Sequence, residues 1–551
     1  MSNSSMPINL RTKFKNLPTK EPMQQLLITR PTRTAANIRK TTSRTALLIY
    51  MILMTNVGCG EQASPALESA ASINAVDATT SDEQHLWDAI FVGGTHVGHN
   101  HMVIRKAAKP ITNEKQLAIQ MNTVITVKRF GTETKQTMNI ASTESRNGTI
   151  DRIVTTMISG AGKVQSTISN NGDILEVTSD TAGVKSQSTL PSDCLGILGY
   201  EPDLQTRPMR PGESRQYRLF VPFMNAIADT KLEAKAFEET SLLDGKDKLL
   251  RIESTMTMAG GNRIGVTLWS NEQGEVLKTD MSGLQTTFRT TQDKAVPSDS
   301  AGEIDLGTKM MVRVAAPIDK PHSTQSVRYR VTLKNGNPQE LLAKTELQTL
   351  RLVDDKTVEL NVTPGRPIVD SRTENRSAEP NAEFLAANAL IQSDDPTIKE
   401  MASEVLSESS EWETACKLEK FVNELITQKN FSTAFASAKE VAQSKQGDCT
   451  EHAVLLAALC RAKQIPARCA IGLVYVESEQ AFAFHMWSEA WIDGHWLPLD
   501  ATLGFGGTGA AHIKVSDSSL ADGTGMESML PVLQLIGDVE IEVLEVSHLQ
   551  Q

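Results

Sequence analysis

A cysteine begins a strongly apolar segment of this sequence. Residues 446–452 read QGDCTEH, and residues 453–460 are all apolar. A helix that is apolar on every side lies inside its domain, and Gly447 with Asp448 supplies the turn and the cap that begin it. Cys449 would then lie in the first turn, where unpaired backbone N–H groups and the helix dipole stabilise a thiolate. By itself this placement suits two roles, a nucleophile and a small buried structural cysteine.

A histidine and an aspartate fall on one face of a predicted hairpin. Residues 484–504 read FHMWSEAWIDGHWLPLDATLG, and the Asp-Gly pair at 493–494 is a strong signal for a two-residue turn. With that turn, the side chains of His485 and Asp500 are diagonal cross-strand neighbours on one face, roughly 5–8 Å apart at the backbone. A carboxylate beside a histidine fixes its tautomer and stabilises the imidazolium. Together with Cys449 the pair would make a Cys-His-Asp triad.

The two segments together resemble the core of the transglutaminase-like superfamily. The similar stretch covers residues 436–504. It has Gly-Asp-Cys at the helix start, RAKQIPAR after the helix, His-x-Trp on the next strand and WLPLDAT on the following strand. Gln464 stands where the family pattern has Gly, and Ala501 stands where it has Pro. The resemblance implies a papain-like, cysteine-protease-type α+β domain.

The resemblance also implies a role for each member of the triad. Cys449 is the expected nucleophile, His485 the general base and acid, and Asp500 the carboxylate that orients the histidine. The expected reaction is acyl transfer on peptide or protein amides, or on cell-envelope material, through a thioester. We expect hydrolysis, as in a peptidase or amidase, rather than cross-linking to a lysine amine, and no metal or other cofactor. The alternative is a non-catalytic transglutaminase-like binding module in the cell envelope.

Residues near the triad have two interpretations each. Trp487 shares the face of His485, and it either walls a substrate groove or packs in the core. Glu451 is the second candidate for the groove, or it belongs only to the first helical turn. His452 lies one turn after Cys449 and could compete as the base. We interpret His452 as structural, because the hairpin histidine has a carboxylate partner.

Three histidines stand close together in a predicted hairpin with a Gly-rich turn. They are His96, His99 and His101. A metal site is one interpretation, but no nearby carboxylate or cysteine completes a ligand set. We therefore interpret them as polar residues on a turn and a strand, and predict no metal site.

The first 58 residues differ in composition from the rest. Residues 11–44 contain nine Lys/Arg and one acidic residue, and residues 46–54 read ALLIYMILM. That apolar run is too short to span a bilayer and is typical of a signal peptide. With Cys59 after it, the segment resembles a bacterial lipoprotein signal. We expect a leader at 1–58, lipidation at Cys59, a tether at 59–84, and an exported, membrane-anchored protein facing the periplasm or cell surface. An ordinary cleaved signal or a short anchor would also export it.

Charge excludes one class of partner. Residues 1–58 hold nine of the chain's 55 Lys/Arg and one of its 66 Asp/Glu, so the remainder carries 46 basic and 65 acidic residues, a net charge of −19. Nucleic-acid binding needs a basic face. The predicted partners are therefore a peptide, protein or cell-envelope substrate and, through Cys59, a membrane.

The length of the chain, 551 residues, is too great for one ordinary core. Segments that alternate apolar and polar residues, with Gly at the breaks, predict strands first, and helical patterns follow later. We predict a multidomain chain: a large antiparallel β domain at 85–296, a small β module at 309–367, and the C-terminal α+β transglutaminase-like domain at 380–548.

Overall fold

The computed structural model describes the chain in twelve segments between residues 83 and 548. They are 83–107, 116–129, 132–159, 162–181, 184–222, 224–258, 261–281, 284–297, 305–366, 379–428, 436–521 and 526–548. The predicted leader at 1–58, Cys59 and nearly all of the predicted tether lie outside the described residues. In the described segments, every helix is too short or too polar to cross a membrane.

The N-terminal part of the described chain is an antiparallel sheet of fourteen strands. The strands are β1 (Gln84–Val92), β2 (Thr95–Lys106), β3 (Gln116–Arg129), β4 (Thr132–Ser145), β5 (Ile150–Ser159), β6 (Gly162–Asn170), β7 (Ile174–Thr181), β8 (Val184–Pro191), β9 (Ser214–Val221), β10 (Ala226–Leu242), β11 (Gly245–Met258), β12 (Arg263–Ser270), β13 (Val276–Met281) and β14 (Gln285–Thr290). Their order is β8-β7-β6-β5-β4-β3-β2-β1-β14-β13-β12-β11-β10-β9. In β12, Ile264, Val266 and Leu268 are buried and alternate with more exposed residues, because successive side chains point to opposite faces. The predicted large antiparallel sheet is confirmed.

A buried carboxylate ties the loop between β8 and β9 to the sheet. Glu144, in β4, is fully buried and accepts the N–H groups of Ile197 and Leu198 at 2.7 and 3.2 Å and the Ser142 hydroxyl at 2.5 Å. Burial raises the pKa of Glu144 to about 7, against the lowering effect of these hydrogen bonds. The loop continues into helix α1 (Glu201–Thr206), and helices α2 (Gln292–Ala295) and α3 (Leu306–Lys309) follow the sheet.

A smaller sheet pairs strands from the middle of the chain with a strand from its C-terminal part. The middle part of the chain comprises β15 (Val312–Arg313), β16 (Thr324–Leu333), helix α4 (Pro338–Leu341), β17 (Gln348–Asp354) and β18 (Thr357–Val362). The sheet has the order β17-β18-β16-β23, in which β23 (Val539–His548) is the last of the described strands. Strand β15 pairs instead with the sheet of the C-terminal domain. Strand β15, from the predicted β module at 309–367, therefore belongs to the sheet of the predicted C-terminal domain (380–548). Strand β23, from that domain, belongs to the small sheet.

The C-terminal domain packs helices against one face of a sheet. Its elements are α5 (Pro396–Glu404), α6 (Glu411–Leu425), α7 (Ala438–Ser444), α8 (Cys449–Ala462), β19 (Ala467–Val476), β20 (Ala481–Ile492), β21 (His495–Leu499), β22 (His512–Ser518) and α9 (Met526–Leu533). The strands run in the order β15-β20-β19-β22, with β21 paired to β20. Helix α8 lies between β19 and β20 on one side and α5, α6 and α7 on the other. Its all-round apolar sequence is the sequence of a helix buried in this way.

A buried guanidinium fixes the end of α8. Arg461 is 1% exposed. Its nitrogens donate to the carbonyl oxygens of Ala467 at 2.8 and 3.0 Å, of Ala386 at 2.7 Å and of Ser519 at 3.2 Å. Burial lowers the pKa of Arg461 to about 10, so the group stays charged at neutral pH. One side chain therefore joins the end of α8 to three chain segments: the loop before α5, the start of β19 and the loop after β22.

Candidate active site

The first residue of α8 is Cys449, as the sequence predicts. Asp448 caps the helix by accepting the Thr450 N–H at 2.7 Å, and Glu451 accepts the Asp448 N–H at 2.9 Å. This reciprocal pair is a capping box. A Cβ at Gly447 would lie 2.2 Å from the Glu451 Cβ, so the loop approaches the helix as only glycine allows. Cys449 is partly exposed and lies at the positive end of the helix dipole.

Glu451 lies beneath this loop and not along a groove. Its side chain is buried, and its second oxygen accepts the Ala436 N–H at 3.1 Å. Burial, together with the neighbouring Asp448, raises its pKa well above the usual range of a glutamate. Of the two interpretations of Glu451, its burial and these hydrogen bonds agree with the one that places it in the first helical turn. His452 is fully buried and its Nδ1 donates to the Asp448 carbonyl at 2.5 Å, which agrees with a structural histidine.

The hairpin that carries the histidine has the predicted register. Asp493 and Gly494 both have positive φ, 53° and 89°, as a type I′ turn requires. Ile492 pairs with His495, and the ladder continues through four more pairs and ends at Ser488 with Leu499. The chain leaves the ladder after Leu499, and the next residue, Asp500, turns its side chain toward β20.

The histidine and aspartate meet in a buried ion pair. His485 Nε2 lies 2.8 Å from Asp500 Oδ2, and both side chains are buried. Burial alone would lower the pKa of His485, but the charge of Asp500, with the charge and hydrogen bond of Cys449, raises it well above its usual value. The pKa of Asp500 lies well below its usual value despite burial, because His485 and His512 stabilise the carboxylate. Since Nε2 faces Asp500, Nδ1 is the ring nitrogen left for the thiol.

A second histidine, absent from the sequence prediction, contacts the same carboxylate. His512, the first residue of β22, has its Nε2 3.0 Å from Asp500 Oδ2. The other oxygen, Oδ1, accepts the Thr502 N–H at 3.0 Å. Burial lowers the pKa of His512, which keeps its ring neutral. Glu419 accepts the Asp500 N–H at 2.8 Å, and burial raises the pKa of Glu419 to about 7. Asp500 is thus held through both its side chain and its backbone.

The side chains of His485, Asp500 and His512 also lie close enough together to be candidate ligands for a metal. Nε2 of His485, Oδ2 of Asp500 and Nε2 of His512 lie within 4.8 Å of one another, and among the described residues they are the one such cluster. Both nitrogens, however, donate to the carboxylate oxygen and carry protons that a metal would have to displace. The geometry is that of a hydrogen-bonded group, and the absence of a metal stays a prediction.

Comparison with known families assigns this region. Residues 399–501 match the profile of the core of the transglutaminase-like superfamily. This part of the chain is a transglutaminase-like domain. The matched range includes Cys449, His485 and Asp500 and ends before His512. No protein among the curated ones matches the chain.

Solved structures resemble the chain only distantly. A candidate cysteine protease from Cytophaga hutchinsonii is 18% identical over 42% of this chain and 88% of that one, with a TM-score of 0.24. A candidate protease from Parabacteroides distasonis is 11% identical over 62% of this chain and 64% of that one, with a TM-score of 0.16. A TGase is 15% identical over 50% and 79%, with a TM-score of 0.16. The family assignment therefore rests on the sequence match.

The segment just before the small sheet contributes a third histidine near Asp500. His322 lies in the single 3-10 turn before β16, and its ring centroid is 6.0 Å from that of His512. Burial, with repulsion from His512, lowers the pKa of His322 to about 4. Phe505 stacks on His322 at 4.9 Å and is 55% exposed. The region around Asp500 is therefore built from two parts of the chain.

Trp487 stacks on His485, with ring centroids 6.3 Å apart, and is 2% exposed, which agrees with core packing, although it also lines a cavity of about 500 Å³. The three histidines of the first hairpin lie in β2 of the large sheet. In the β domain, His96 Nε2 donates to a backbone carbonyl, either Gly98 at 3.1 Å or Ala295 at 3.0 Å. His101 stacks on Trp87 at 3.8 Å, and His99 packs near the same ring. These contacts agree with the interpretation of the three histidines as strand and turn residues.

Proposed function

We propose that the transglutaminase-like domain is a cysteine-dependent acyltransferase that acts on peptide or protein amides. The observation that carries the proposal is the buried His485–Asp500 pair, whose charge is coupled to Cys449 at the start of α8. A thiolate is the reactive form of cysteine, and a raised imidazole pKa favours the thiolate–imidazolium pair. Asp500 supplies the negative charge that holds this pair together.

The residues support a two-step reaction. His485 takes the proton from the Cys449 thiol, and the thiolate attacks the amide carbonyl carbon. The backbone N–H of Cys449 and the positive end of the α8 dipole stabilise the developing oxyanion. His485 then gives its proton to the leaving amine, the C–N bond breaks, and a thioester remains on Cys449. In the second step the acceptor loses a proton to His485, attacks the thioester, and releases the thiol.

We propose water as the acceptor, so that the product is a free carboxylate. Cys449 is partly exposed, so water has access to its thioester. A lysine amine would give an isopeptide by the same steps. Mass spectrometry of peptide products separates the two outcomes: hydrolysis of a glutaminyl side chain adds about one mass unit, and cross-linking joins two peptides.

The test of the nucleophile is alkylation by iodoacetamide followed by peptide mapping. Folded protein should label at Cys449 faster than at the four other described cysteines, of which Cys460 and Cys469 are fully buried. His485→Ala should depress labelling of Cys449 in the folded state only. If Cys449 reacts no faster in folded than in unfolded protein, the domain is better explained as a non-catalytic binding module.

We also propose that the protein is exported and anchored to a membrane through a lipid on Cys59. The support is the sequence of residues 11–59, with its basic run, short apolar core and small residue before the cysteine. Cys59→Ser should move the protein from the membrane fraction to the soluble fraction of the cell envelope. Unchanged membrane association in this variant would point to an uncleaved anchor.

A further inference from the structure

A second cavity lies where the large sheet meets the C-terminal half of the chain. It has a volume of about 660 Å³ and will be called the β15 cavity, because β15 forms part of its wall. Gly93, in the turn between β1 and β2, and Leu284, in the turn between β13 and β14, line it from the large sheet. The other walls come from residues 309–315 around β15, from Lys334 after β16, and from residues 536–541 at the start of β23. No member of the triad lines it, so the β15 cavity is separate from the candidate active site.

The walls of the β15 cavity combine aliphatic surface with charge. Of its fifteen lining residues, nine are aliphatic or methionine, two are glycine and four are charged. Among the described residues that line it, none has a hydroxyl, amide or aromatic side chain. Met310, Met311 and Val312 are only half-buried, so apolar surface remains accessible on this wall. A sugar or a peptide is oriented by polar groups in its site, whereas a hydrocarbon chain needs none.

Three of the four charged lining residues are basic, and all three are exposed. Each donates to a neutral backbone carbonyl: Lys309 Nζ to Gly93 at 2.6 Å, Arg313 Nη1 to Glu479 at 3.2 Å and Lys334 Nζ to Gly537 at 3.0 Å. A carbonyl does not cancel the charge of its donor. The one acidic lining residue, Glu540, lies 4.0 Å from Lys334 and offsets a single charge. The lining therefore carries two net positive charges, which attract an anion.

We propose that the β15 cavity binds a fatty acid, with the acyl chain on the aliphatic walls and the carboxylate on the exposed basic side chains. An ammonium group has three N–H donors and a guanidinium group has five, so each basic residue can bind a carboxylate and keep its backbone contact. Methionine side chains are flexible, so Met310 and Met311 can adapt to the shape of an acyl chain. The volume is within the range of small-molecule sites.

A bound acyl chain would contact the large sheet and the C-terminal half of the chain at once. Gly93 and Leu284 lie on the first side, and β15 and β23 lie on the second. Strand β15 also pairs with the start of β20, the strand that carries His485. Binding itself does not depend on the proposed acyl transfer, because Cys449 is not part of the cavity.

The test is isothermal titration calorimetry of the full chain with laurate, below its micelle concentration and at neutral pH. Laurate should bind. Each buried methylene is worth roughly fourfold in affinity, so octanoate, which is four methylenes shorter, should bind at least about tenfold more weakly. Dodecyltrimethylammonium has a chain of the same length and the opposite charge, and it should not bind.

Paired substitutions locate the site. Lys309→Gln with Lys334→Gln removes two charges and keeps a donor for each backbone carbonyl. This double variant should bind laurate roughly tenfold more weakly, since one exposed ion pair is worth roughly threefold. Lys399→Gln with Lys420→Gln is the matched control, because it removes two charges from the exposed faces of α5 and α6.

The outcomes separate the possibilities. Weaker laurate binding in the cavity variant, with parental binding in the control variant, supports the proposal. Absence of laurate binding to the parent protein overturns it. Equal laurate binding in the two double variants places the acyl chain elsewhere, for example on the apolar residues 46–54, and also overturns it. If dodecyltrimethylammonium binds as tightly as laurate, the basic side chains do not select the ligand and the proposal is wrong.

Discussion

The substitution Asp500→Asn gives the sharpest test of the electrostatics of the site. Asp500 Oδ2 lies 2.8 Å from His485 Nε2 and is the main favourable influence on the raised pKa of that histidine. Asparagine keeps the size of the side chain and removes its charge. The N–H groups of Thr502, His485 and His512 all donate to oxygens of the Asp500 carboxylate. The NH₂ group of asparagine cannot accept from them, and it would have to face either Thr502 or the two histidines.

The magnitude follows from the lost charge. An opposite charge at this distance shifts a pKa by about 1–3 units, and each unit corresponds to about 1.4 kcal/mol. The thiolate–imidazolium pair of Cys449 and His485 should therefore fall in population by roughly 10- to 1000-fold. At neutral pH the alkylation rate of Cys449 should fall by the same factor, and the rate should keep rising with pH as an ordinary thiol does.

The assay is the rate of iodoacetamide labelling at Cys449 from about pH 5 to about pH 9, where thiolate content sets the rate. The raised pKa of His485 predicts that the unmodified protein keeps its reactivity on the acidic side, and that the variant loses it. Asp493→Asn is the matched control, because Asn-Gly suits the same hairpin turn and Asp493 lies outside the site. If Cys449 of the Asp500→Asn variant is labelled at the same rate and with the same pH profile as Cys449 of the parent protein, the ion pair does not activate the thiol.

Three further substitutions test other parts of the structure. Gly447→Ala would put a Cβ 2.2 Å from that of Glu451, so both the melting temperature and Cys449 labelling should fall. The pKa of Glu144 is raised to about 7, so the folded state binds its proton more tightly than the unfolded state does. The free energy of unfolding should therefore fall by about 3 kcal/mol as the pH rises from about 4.5 to about 7. Glu144→Gln should remove most of this pH dependence in urea titrations. Arg461→Met leaves the buried carbonyl groups of Ala467 and Ser519 without their donor and should destabilise the fold by about 3 kcal/mol in the same titrations. A loss under about 0.5 kcal/mol would show that solvent replaces the guanidinium.

Local signals account for the part of the site that the sequence predicted. An Asp-Gly turn adopts positive φ at both residues, and that alone sets the register of the hairpin that carries His485. Likewise, Gly-Asp before an apolar run places Cys449 at a helix start. In both cases the determining residues lie within a few positions of the residue they place.

Long-range pairing accounts for what the sequence did not predict. His512 reaches Asp500 only because β22 pairs with β19, and that ladder shifts register between Ile471 and Gly472. No local pattern encodes such a shift. Glu419 contacts Asp500 from α6, 81 residues earlier in the chain. The sequence left two interpretations of Glu451 open, because a capping glutamate and a groove glutamate look alike until burial is known.

The position of β23 bears on how the protein is made. Strand β23 pairs with β16, so that Arg330 and Glu542, 212 residues apart, form an ion pair. During synthesis β16 keeps an unpaired edge until β23 has left the ribosome, and such edges recruit other chains. A stop codon introduced between Asp500 and β23 would keep Cys449, His485 and Asp500 and still leave that edge open. Truncation before β23 therefore exposes a pairing edge on β16 without removing any of these three side chains.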